Sequence, residues 1–497
     1  MPSRPPRLRQ QAAKHRLGAL RLTFYGVAAV TPLTIIIGAI PLGFGQLHQI
    51  ATPAGYLIAA AILAVFATGL ATMARHLANS GAFYSYVAAG LGKPAATAVA
   101  LIALTAYTTI LVGLFGAFGP AAHRTVNPAG TGTVWWTLWA LAGWAVIAVL
   151  SQIKLRTNAI ILGILVAAEI GYVLAIDLVL LAHPADGVIR FDAINPAPLL
   201  NPAGMASLVG AITGLIGFEV PLAFALVAIN RRTTVRRAIG AILAITGLLY
   251  ASTGLIMSIT AGPDRIIAVA EQHPADLFFH LAAPLVPAWV IQLGTVLYAT
   301  SLFAAMLAIA TTIARYTLTL AREGLLPSWL AITRDDEVPV TAGIAQSAIT
   351  LTALTVAGAA AVDPTMDLFF YGTTAGGLGV LICMTITAIA VVTYFHRHRD
   401  QPESWSRRRL APLAAAVLLA AVTVPSIAVF GDLVGTTDPV KAWTPPAGYL
   451  LIAVIGIGWA HRVRTRNPTA WHAIGNGDPQ QSQPQAASGT QPTEVFR

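Results

Sequence analysis

Long apolar runs repeat along this chain, and this repetition limits the folds open to it. A helix that crosses a bilayer needs about 20 consecutive apolar residues, and the chain contains twelve runs of about that length. They are 22–46, 53–74, 95–119, 133–151, 157–182, 204–230, 236–261, 286–314, 340–361, 367–395, 410–431 and 446–461. Hydrocarbon offers the backbone no hydrogen-bonding partners, so runs this apolar predict helices. We therefore expect an all-α polytopic membrane protein with about 12 transmembrane helices.

Composition agrees with a membrane protein and argues against several other classes. The chain is 56% hydrophobic and only 10% charged, with a mean hydropathy of +0.71, which is outside the range of soluble domains. The single cysteine, Cys383, excludes an intramolecular disulfide and a cysteine-based zinc site. The 11 histidines fall in predicted tails, loops or helix ends. With no catalytic motif or nucleotide domain, we expect no enzyme, no cofactor and no metal site.

The basic residues predict the orientation of the chain in the membrane. If the N-terminus is cytoplasmic, all but four of the 30 Lys and Arg residues lie in tails, loops and helix ends on the inner side. The four exceptions are Arg124, Arg190, Arg265 and Lys441. This asymmetry predicts an even number of spans in a cytoplasmic membrane with both termini inside. It also indicates contact with anionic lipid headgroups rather than with nucleic acid.

Two of the apolar runs are interrupted, 204–230 near its middle and 22–46 about a third of the way in. In 204–230 the only acid is Glu219, which follows Gly214 and Gly217 closely and precedes Pro221, so a break in the helix is expected there. A buried carboxyl in a span is costly and usually functional. The first run is interrupted too, by Thr31-Pro32-Leu33-Thr34, and proline costs about 3 kcal/mol in a helix interior.

The two interrupted runs divide the chain into two similar halves. Residues 22–182 and 204–396 each hold five spans and each open with a broken helix, so the second half must be inverted relative to the first. Residues 410–461 hold two further spans outside this 5+5 inverted repeat. A basic cytoplasmic arm, 1–21, precedes the first half, and we expect a disordered cytoplasmic tail over 467–497. Broken helices in corresponding positions indicate the substrate site of a secondary transporter.

Four segments resemble the amino acid–polyamine–organocation (APC) superfamily of transporters, which share the LeuT-like fold. Residues 80–92 resemble the Gly-, Tyr- and Gly-Leu-Gly-bearing segment after the second helix, and 214–219 resemble the Gly-Phe-Glu break of the sixth. Residues 315–327 resemble the loop after the eighth helix, and 29–34 occupy the place of the first-helix break. The resemblance implies a permease that works by alternating access between the two sides of the membrane.

The resemblance and the physics of broken helices together suggest a substrate site. An unwound stretch leaves N–H groups free at the start of one half-helix and carbonyls free at the end of the other, suited to a carboxylate and an ammonium. By analogy with the family, the first break would bind the carboxylate and the second the ammonium, with Phe218 as an aromatic wall. The candidate substrate-binding residues are Thr31, Pro32, Leu33, Thr34, Gly214, Ile216, Gly217, Phe218 and Glu219.

Two carboxyl groups are candidates for coupling, and each leaves alternatives open. Glu219 could bind a cationic amine, carry a coupling proton or brace the broken backbone. By resemblance to the family, Glu169 stands at a position where some proton-coupled relatives have a lysine. Proton coupling and structural pairing are therefore both open for Glu169. Asp177, eight residues after Glu169, is expected near the outer interface in contact with solvent. Phe369-Phe370-Tyr371 is interpreted as an interfacial aromatic belt.

The sequence therefore predicts a secondary active transporter that moves an amino acid or related amine, coupled to protons or to exchange. Sodium coupling ranks lower, since it would need oxygens near the first break and on the eighth span, where Thr300, Ser301, Thr311 and Thr312 stand. A nucleobase or carboxylate substrate remains an alternative, as does a transporter-like sensor. The expected partners are the small solute, protons and the bilayer; the oligomeric state is not predicted.

Overall fold

The computed structural model describes residues 17–77, 83–126, 135–153, 155–224, 228–230, 233–334, 338–398 and 403–476. Ten of the described helices are long and apolar enough to cross a membrane, and Trp136–Leu150 and Gly204–Gly214 are shorter apolar helices. Together they correspond to the twelve predicted runs, which confirms the all-α membrane fold. Most of the predicted basic arm, and the tail from 477 onward, lie outside the described residues.

The helices are numbered in chain order. In the first half they are α1 Ala19–Val30, α2 Pro32–Thr34, α3 Ile40–Gly45, α4 Thr52–Met73, α5 Phe83–Gly90, α6 Lys93–Val126, α7 Trp136–Leu150 and α8 Leu155–Leu181. The second half contains α9 Pro202–Gly214, α10 Val220–Ala223, α11 Thr233–Ala261, α12 Ile266–Gln272, α13 Leu277–Ala282, α14 Ala288–Arg322, α15 Val340–Ala359 and α16 Gly372–Arg397. The remaining helices are α17 Ala411–Ala428, α18 Phe430–Leu433, α19 Pro439–Arg466 and α20 Pro468–Ala473.

The first span breaks at a single residue. Helix α1 ends at Val30, Thr31 adopts a left-handed conformation with φ 53° and ψ 68°, and α2 begins at once with Pro32. Proline has no N–H to lose at the first position of a helix and its φ is already helical. The interruption is therefore narrower than the four residues predicted, although a π-helical turn, Ile35–Ala39, follows it.

The second break is longer and lies directly against the first. Helix α9 ends at Gly214 and α10 begins at Val220. Between them Gly217 has φ +117°, a conformation that side chains other than glycine rarely adopt. A Cβ at Gly217 would lie 2.8 Å from the carbonyl carbon of Ala29, so only glycine lets the two broken backbones approach this closely.

Helix packing around the breaks places them inside the protein. Helix α6 packs against α14, α16 and α19, and α4 packs against α11 and α9. In its most apolar stretch the first span is 83% buried, against 22% for α19. The first span is therefore enclosed by protein, whereas α19 has most of its surface free to face lipid.

The segment after α19 is helical, which corrects the prediction of a disordered tail for residues 468–473. An asparagine before a proline caps the start of α20, where the Asn467 side chain accepts a hydrogen bond from Ala470 N at 3.1 Å. Lys93 Nζ donates to the Trp471 carbonyl at 2.6 Å. Glu323, 1% exposed, accepts hydrogen bonds from Tyr84 Oη at 2.8 Å and Gly475 N at 2.9 Å.

Removal of the Glu323 carboxylate is expected to destabilise the protein. Glu323→Ala leaves the Tyr84 hydroxyl and the Gly475 N–H without this acceptor, and an unsatisfied buried donor costs about 1–3 kcal/mol. We expect a lower midpoint of thermal unfolding in detergent for Glu323→Ala. Glu323→Gln keeps an acceptor oxygen and should lose less. Equal midpoints for the two variants would show that these hydrogen bonds contribute nothing.

Candidate functional site

A cavity of about 160 Å³ lies where the two breaks meet. Its walls come from the end of α1, from α9 and the turn after it, from α4 and α6, and from the π-helical segment Pro364–Tyr371 before α16. Small solutes fit a space of this size better than drug-sized ligands, whose pockets are about 300–1,000 Å³. The cavity between the two breaks is therefore the candidate substrate site.

Five of the nine predicted substrate-binding residues line this cavity: Thr31, Thr34, Gly214, Ile216 and Gly217. Pro32, Leu33, Phe218 and Glu219 are not part of its lining. Each of these four lies within two residues of a lining residue in sequence, so the predicted stretches of backbone lie at the cavity. It did not determine which side chains of those stretches face inward.

Phe218 is not the aromatic wall that was expected. Its side chain is fully buried, and its ring packs edge-on against Phe66 with 6.5 Å between centroids. The aromatic residues of the cavity are Tyr56, Tyr107, Phe369 and Phe370. The last two were interpreted as an interfacial belt, and that interpretation is corrected for both.

Thr34 provides an unsatisfied polar group at the cavity. Its side chain is 2% exposed and, among the described residues, its Oγ1 has no hydrogen-bonding partner. An orphaned buried hydroxyl costs free energy unless a ligand or water satisfies it. Thr373, another residue of the lining, instead donates to the Phe369 carbonyl at 2.6 Å. The Thr34 hydroxyl is therefore available to a bound solute, whereas the Thr373 hydroxyl is already engaged.

The described lining of the cavity contains no charged side chain. Most of it is apolar, with Ile35, Ile110, Val209, Ile309 and Leu114 among its members. A solute with a net charge would lose its hydration there and find no counter-charge in exchange, which is expensive. The lining therefore favours a solute whose charges balance and whose remaining surface is apolar.

Glu169 joins three elements just outside the cavity. It stands on α8 with 2% exposure, accepts a hydrogen bond from the Leu33 N–H at the start of α2, and accepts another from Ser301 Oγ on α14 at 2.7 Å. Its carboxylate thus occupies the backbone donor that was expected to hold a substrate carboxylate. Any change in its charge acts directly on the first break.

Glu219 connects the second break to α6 through two hydrogen bonds. Its Oε1 accepts from Tyr107 Oη at 2.7 Å, and its Oε2 accepts from Gly217 N at 2.9 Å. The side chain is 3% exposed. Both oxygens are thereby engaged by protein donors, one of which holds the turn at Gly217 and the other a tyrosine of the cavity wall.

The expectation that Asp177 meets solvent at the outer interface is wrong. The side chain is 4% exposed and its Oδ2 accepts a hydrogen bond from Thr253 Oγ1 at 2.6 Å. Helix α11, which carries Thr253, packs against α8 and covers it. The position of Asp177 in its apolar run did not indicate that another helix would pack over it.

The four hydroxyl groups considered as sodium ligands already form hydrogen bonds within the protein. Thr300, Thr311 and Thr312 each donate to a carbonyl of α14, and Thr311 also pairs with Tyr25. Within the described residues, no group of three or more His, Cys, Asp or Glu side chains could hold a metal ion.

Comparison with known proteins identifies the family. The family model described as amino acid permease matches residues 17–460. The chain therefore belongs to the amino acid permease family of the APC superfamily. No curated protein matches it closely enough to count as a relative.

Solved structures support the fold. Two mutants of the manganese transporter of Eremococcus coleocola are similar to this chain at TM-scores of 0.54 and 0.55, each with 13% sequence identity. In both comparisons 95% of this chain and 97% of the other are covered. At this identity the likeness concerns the fold, which is that of LeuT-like transporters. Family and fold together define the chain as a multi-pass membrane transporter.

Proposed function

We propose that this protein is a secondary transporter that carries a neutral amino acid with an apolar side chain across the cytoplasmic membrane. The observation that carries this proposal is the cavity between the two breaks, whose described lining is uncharged and largely apolar. An α-amino acid brings one positive and one negative charge close together, so it needs local dipoles rather than a counter-ion. Backbone groups at helix breaks provide such dipoles.

The two ends of the zwitterion would bind at the two breaks. Because Glu169 occupies the Leu33 N–H and the Thr31 N–H donates to the Ala28 carbonyl at 3.2 Å, the Thr34 hydroxyl is our candidate for the carboxylate. The carbonyls of Gly214 and Ile216, in the turn after α9, are our candidates for the ammonium. The side chain would then lie against Phe369 and the apolar residues opposite it.

Coupling is assigned to Glu169. Because its oxygen is bonded to both the first break and α14, protonation would weaken charge-assisted hydrogen bonds on both sides at once. Proton uptake by Glu169 would weaken its hydrogen bond to the start of α2 and would thereby alter the first break, where the substrate would bind. Proton symport and exchange are both compatible with this arrangement, and the termini are proposed to lie in the cytoplasm.

A panel of ligands tests the substrate class. A ligand at 100 times its Kd stabilises the folded state by about 2.7 kcal/mol. With purified protein in detergent, we expect leucine-like neutral amino acids to raise the unfolding temperature. Arginine, glutamate and polyamines should leave it unchanged. A response to the charged ligands alone would contradict the proposal.

A threonine pair tests the position of the site. Thr34→Val should weaken binding of the stabilising ligand by about ten- to hundredfold, since a hydrogen bond to a charged group contributes about 1.5–3 kcal/mol. Thr373→Val is the matched control, because its hydroxyl is already bonded within the protein, and its affinity should change little. Equal effects would show that the ligand does not use the Thr34 hydroxyl.

A nucleobase is the second candidate, favoured by a specific feature of the cavity. Tyr107, Phe369 and Phe370 supply aromatic surface, on which a flat, uncharged heterocycle could stack. The same panel separates the two: stabilisation by a nucleobase, with none by neutral amino acids, would replace the substrate and leave the fold as it is. Manganese, the cargo of the similar transporter, would find no carboxylate in the described lining of this cavity.

A further inference from the structure

A second cavity, of about 320 Å³, opens between α4 and α11 and shares no lining residue with the substrate cavity. One wall is a row of small side chains on α4, Ala64, Ala67 and Ala71, and the other includes Ile239 and Leu243 of α11. Because these α4 side chains are small, a cleft remains between α4 and α11 that larger side chains would fill. Thr68 and Thr72 of α4 also line the cavity, but their hydroxyls donate to carbonyls of the same helix, so these walls present largely apolar surface to a hydrocarbon group.

Three arginines stand at one end of this cavity. Arg75 follows α4, Arg236 is in the first turn of α11, and Arg407 precedes α17; all three are exposed and line the cavity. They belong to three separate segments, so the fold brings three positive charges together. Among the described residues, neither Arg236 nor Arg407 forms an ion pair with an acid.

The acid nearest to Arg407 in sequence is bonded to a histidine rather than to Arg236 or Arg407. Glu403 is bonded to His76 Nε2 at 2.9 Å, and its side chain is 5% exposed. Arg236 and Arg407 therefore offer two guanidinium groups at the cavity to an anion.

The mouth has the features of a membrane interface. Trp405, 59% exposed, and Leu410, 53% exposed, flank Arg407 in sequence. Exposed tryptophan beside arginine is typical of the headgroup level of a bilayer. The three arginines also lie on the side that the charge asymmetry predicts to face the cytoplasm, where the leaflet carries anionic lipids.

We propose that this cavity binds an anionic phospholipid, with its phosphodiester on Arg236 and Arg407 and an acyl chain along the α4 alanines. Guanidinium groups match phosphate geometry through paired N–H donors. A soluble phosphate would gain from the arginines but not from the apolar walls. The proposal does not depend on which solute the protein carries.

Native mass spectrometry of the delipidated protein tests the proposal. The probes are dioleoyl phosphatidylglycerol and dioleoyl phosphatidylcholine, which have the same acyl chains and differ in headgroup charge. We expect the first bound lipid to be phosphatidylglycerol, in preference to phosphatidylcholine by about tenfold or more. In Arg236→Gln/Arg407→Gln this preference should fall about tenfold or more, since each basic residue near anionic lipid contributes about 1 kcal/mol.

Arg462→Gln is the matched control, because it removes an exposed arginine from α19, whose residues do not line the cavity. It should keep the wild-type preference. Equal loss in Arg462→Gln, or no preference in the wild type, would overturn the proposal. If the double variant does not fold, the two single variants and the wild-type lipid comparison still decide.

A soluble headgroup separates lipid from free anion. Glycerol 3-phosphate is expected to leave the unfolding temperature unchanged at concentrations where phosphatidylglycerol raises it. Ala71→Phe, which fills the apolar wall and keeps every arginine, should reduce phosphatidylglycerol binding. Full stabilisation by glycerol 3-phosphate, unaffected by Ala71→Phe, would identify the site as one for soluble anions and reject the lipid.

Discussion

Glu169→Gln is expected to abolish accumulation of substrate against its gradient while exchange of substrate across the membrane continues. Glutamine keeps an oxygen that can accept from Leu33 N and Ser301 Oγ, the two donors that the carboxylate engages. It cannot take up or release a proton. Proteoliposomes with an imposed proton gradient measure accumulation, and preloaded proteoliposomes without a gradient measure exchange.

Ser301→Ala is the control for this experiment. It removes one hydrogen bond to Glu169 but leaves the carboxyl group in place. We expect weaker transport that still accumulates substrate when protons drive it. Unchanged accumulation in Glu169→Gln would remove Glu169 from coupling and leave it a purely structural partner of the first break.

Glu219→Met is expected to destabilise the protein by about 2–6 kcal/mol and to reduce transport at least tenfold, because two buried donors lose their acceptor at about 1–3 kcal/mol each. Those donors are the Gly217 N–H and the Tyr107 hydroxyl. One fixes the turn of the second break and the other positions a side chain of the cavity. Unfolding in detergent and uptake into proteoliposomes measure the two effects.

Glu219→Gln distinguishes a structural role of the Glu219 carboxyl from a role in proton transfer or substrate binding. The amide oxygen can accept from Gly217 N and the amide N–H can donate to the Tyr107 oxygen, so both contacts can persist. With Glu219 outside the cavity lining, we expect a folded protein whose transport is within about threefold of wild type, a change below about 1 kcal/mol. A folded Glu219→Gln protein without transport would show that the carboxyl carries a proton or binds the substrate.

Local sequence signals predicted the two breaks well. Proline at 32 and the glycine-rich stretch around Gly217 have direct backbone consequences, so their effect does not depend on what packs around them. The same reasoning could have predicted α20, because Asn467 followed by Pro468 is a helix-start signal. It was missed because the surrounding composition is polar and the contacts with Glu323 and Lys93 come from distant parts of the chain.

The orientation of side chains was less accessible from sequence. Phe218 and Phe369 both stand in apolar segments close to glycines, yet only Phe369 faces the cavity. Which one turns inward depends on the rotation of each segment against its neighbours, and one sequence does not carry that information. Asp177 was misjudged for the same reason, since its burial depends on the packing of α11 over α8.

Uptake of the stabilising neutral amino acid into proteoliposomes tests the central proposal most directly. With an inward proton gradient, the purified protein should accumulate the labelled amino acid above its external concentration, and a protonophore should collapse that accumulation. Binding in the thermal assay, with no uptake above protein-free liposomes and no exchange, would contradict transport and identify the protein as a sensor that keeps the site without moving its ligand.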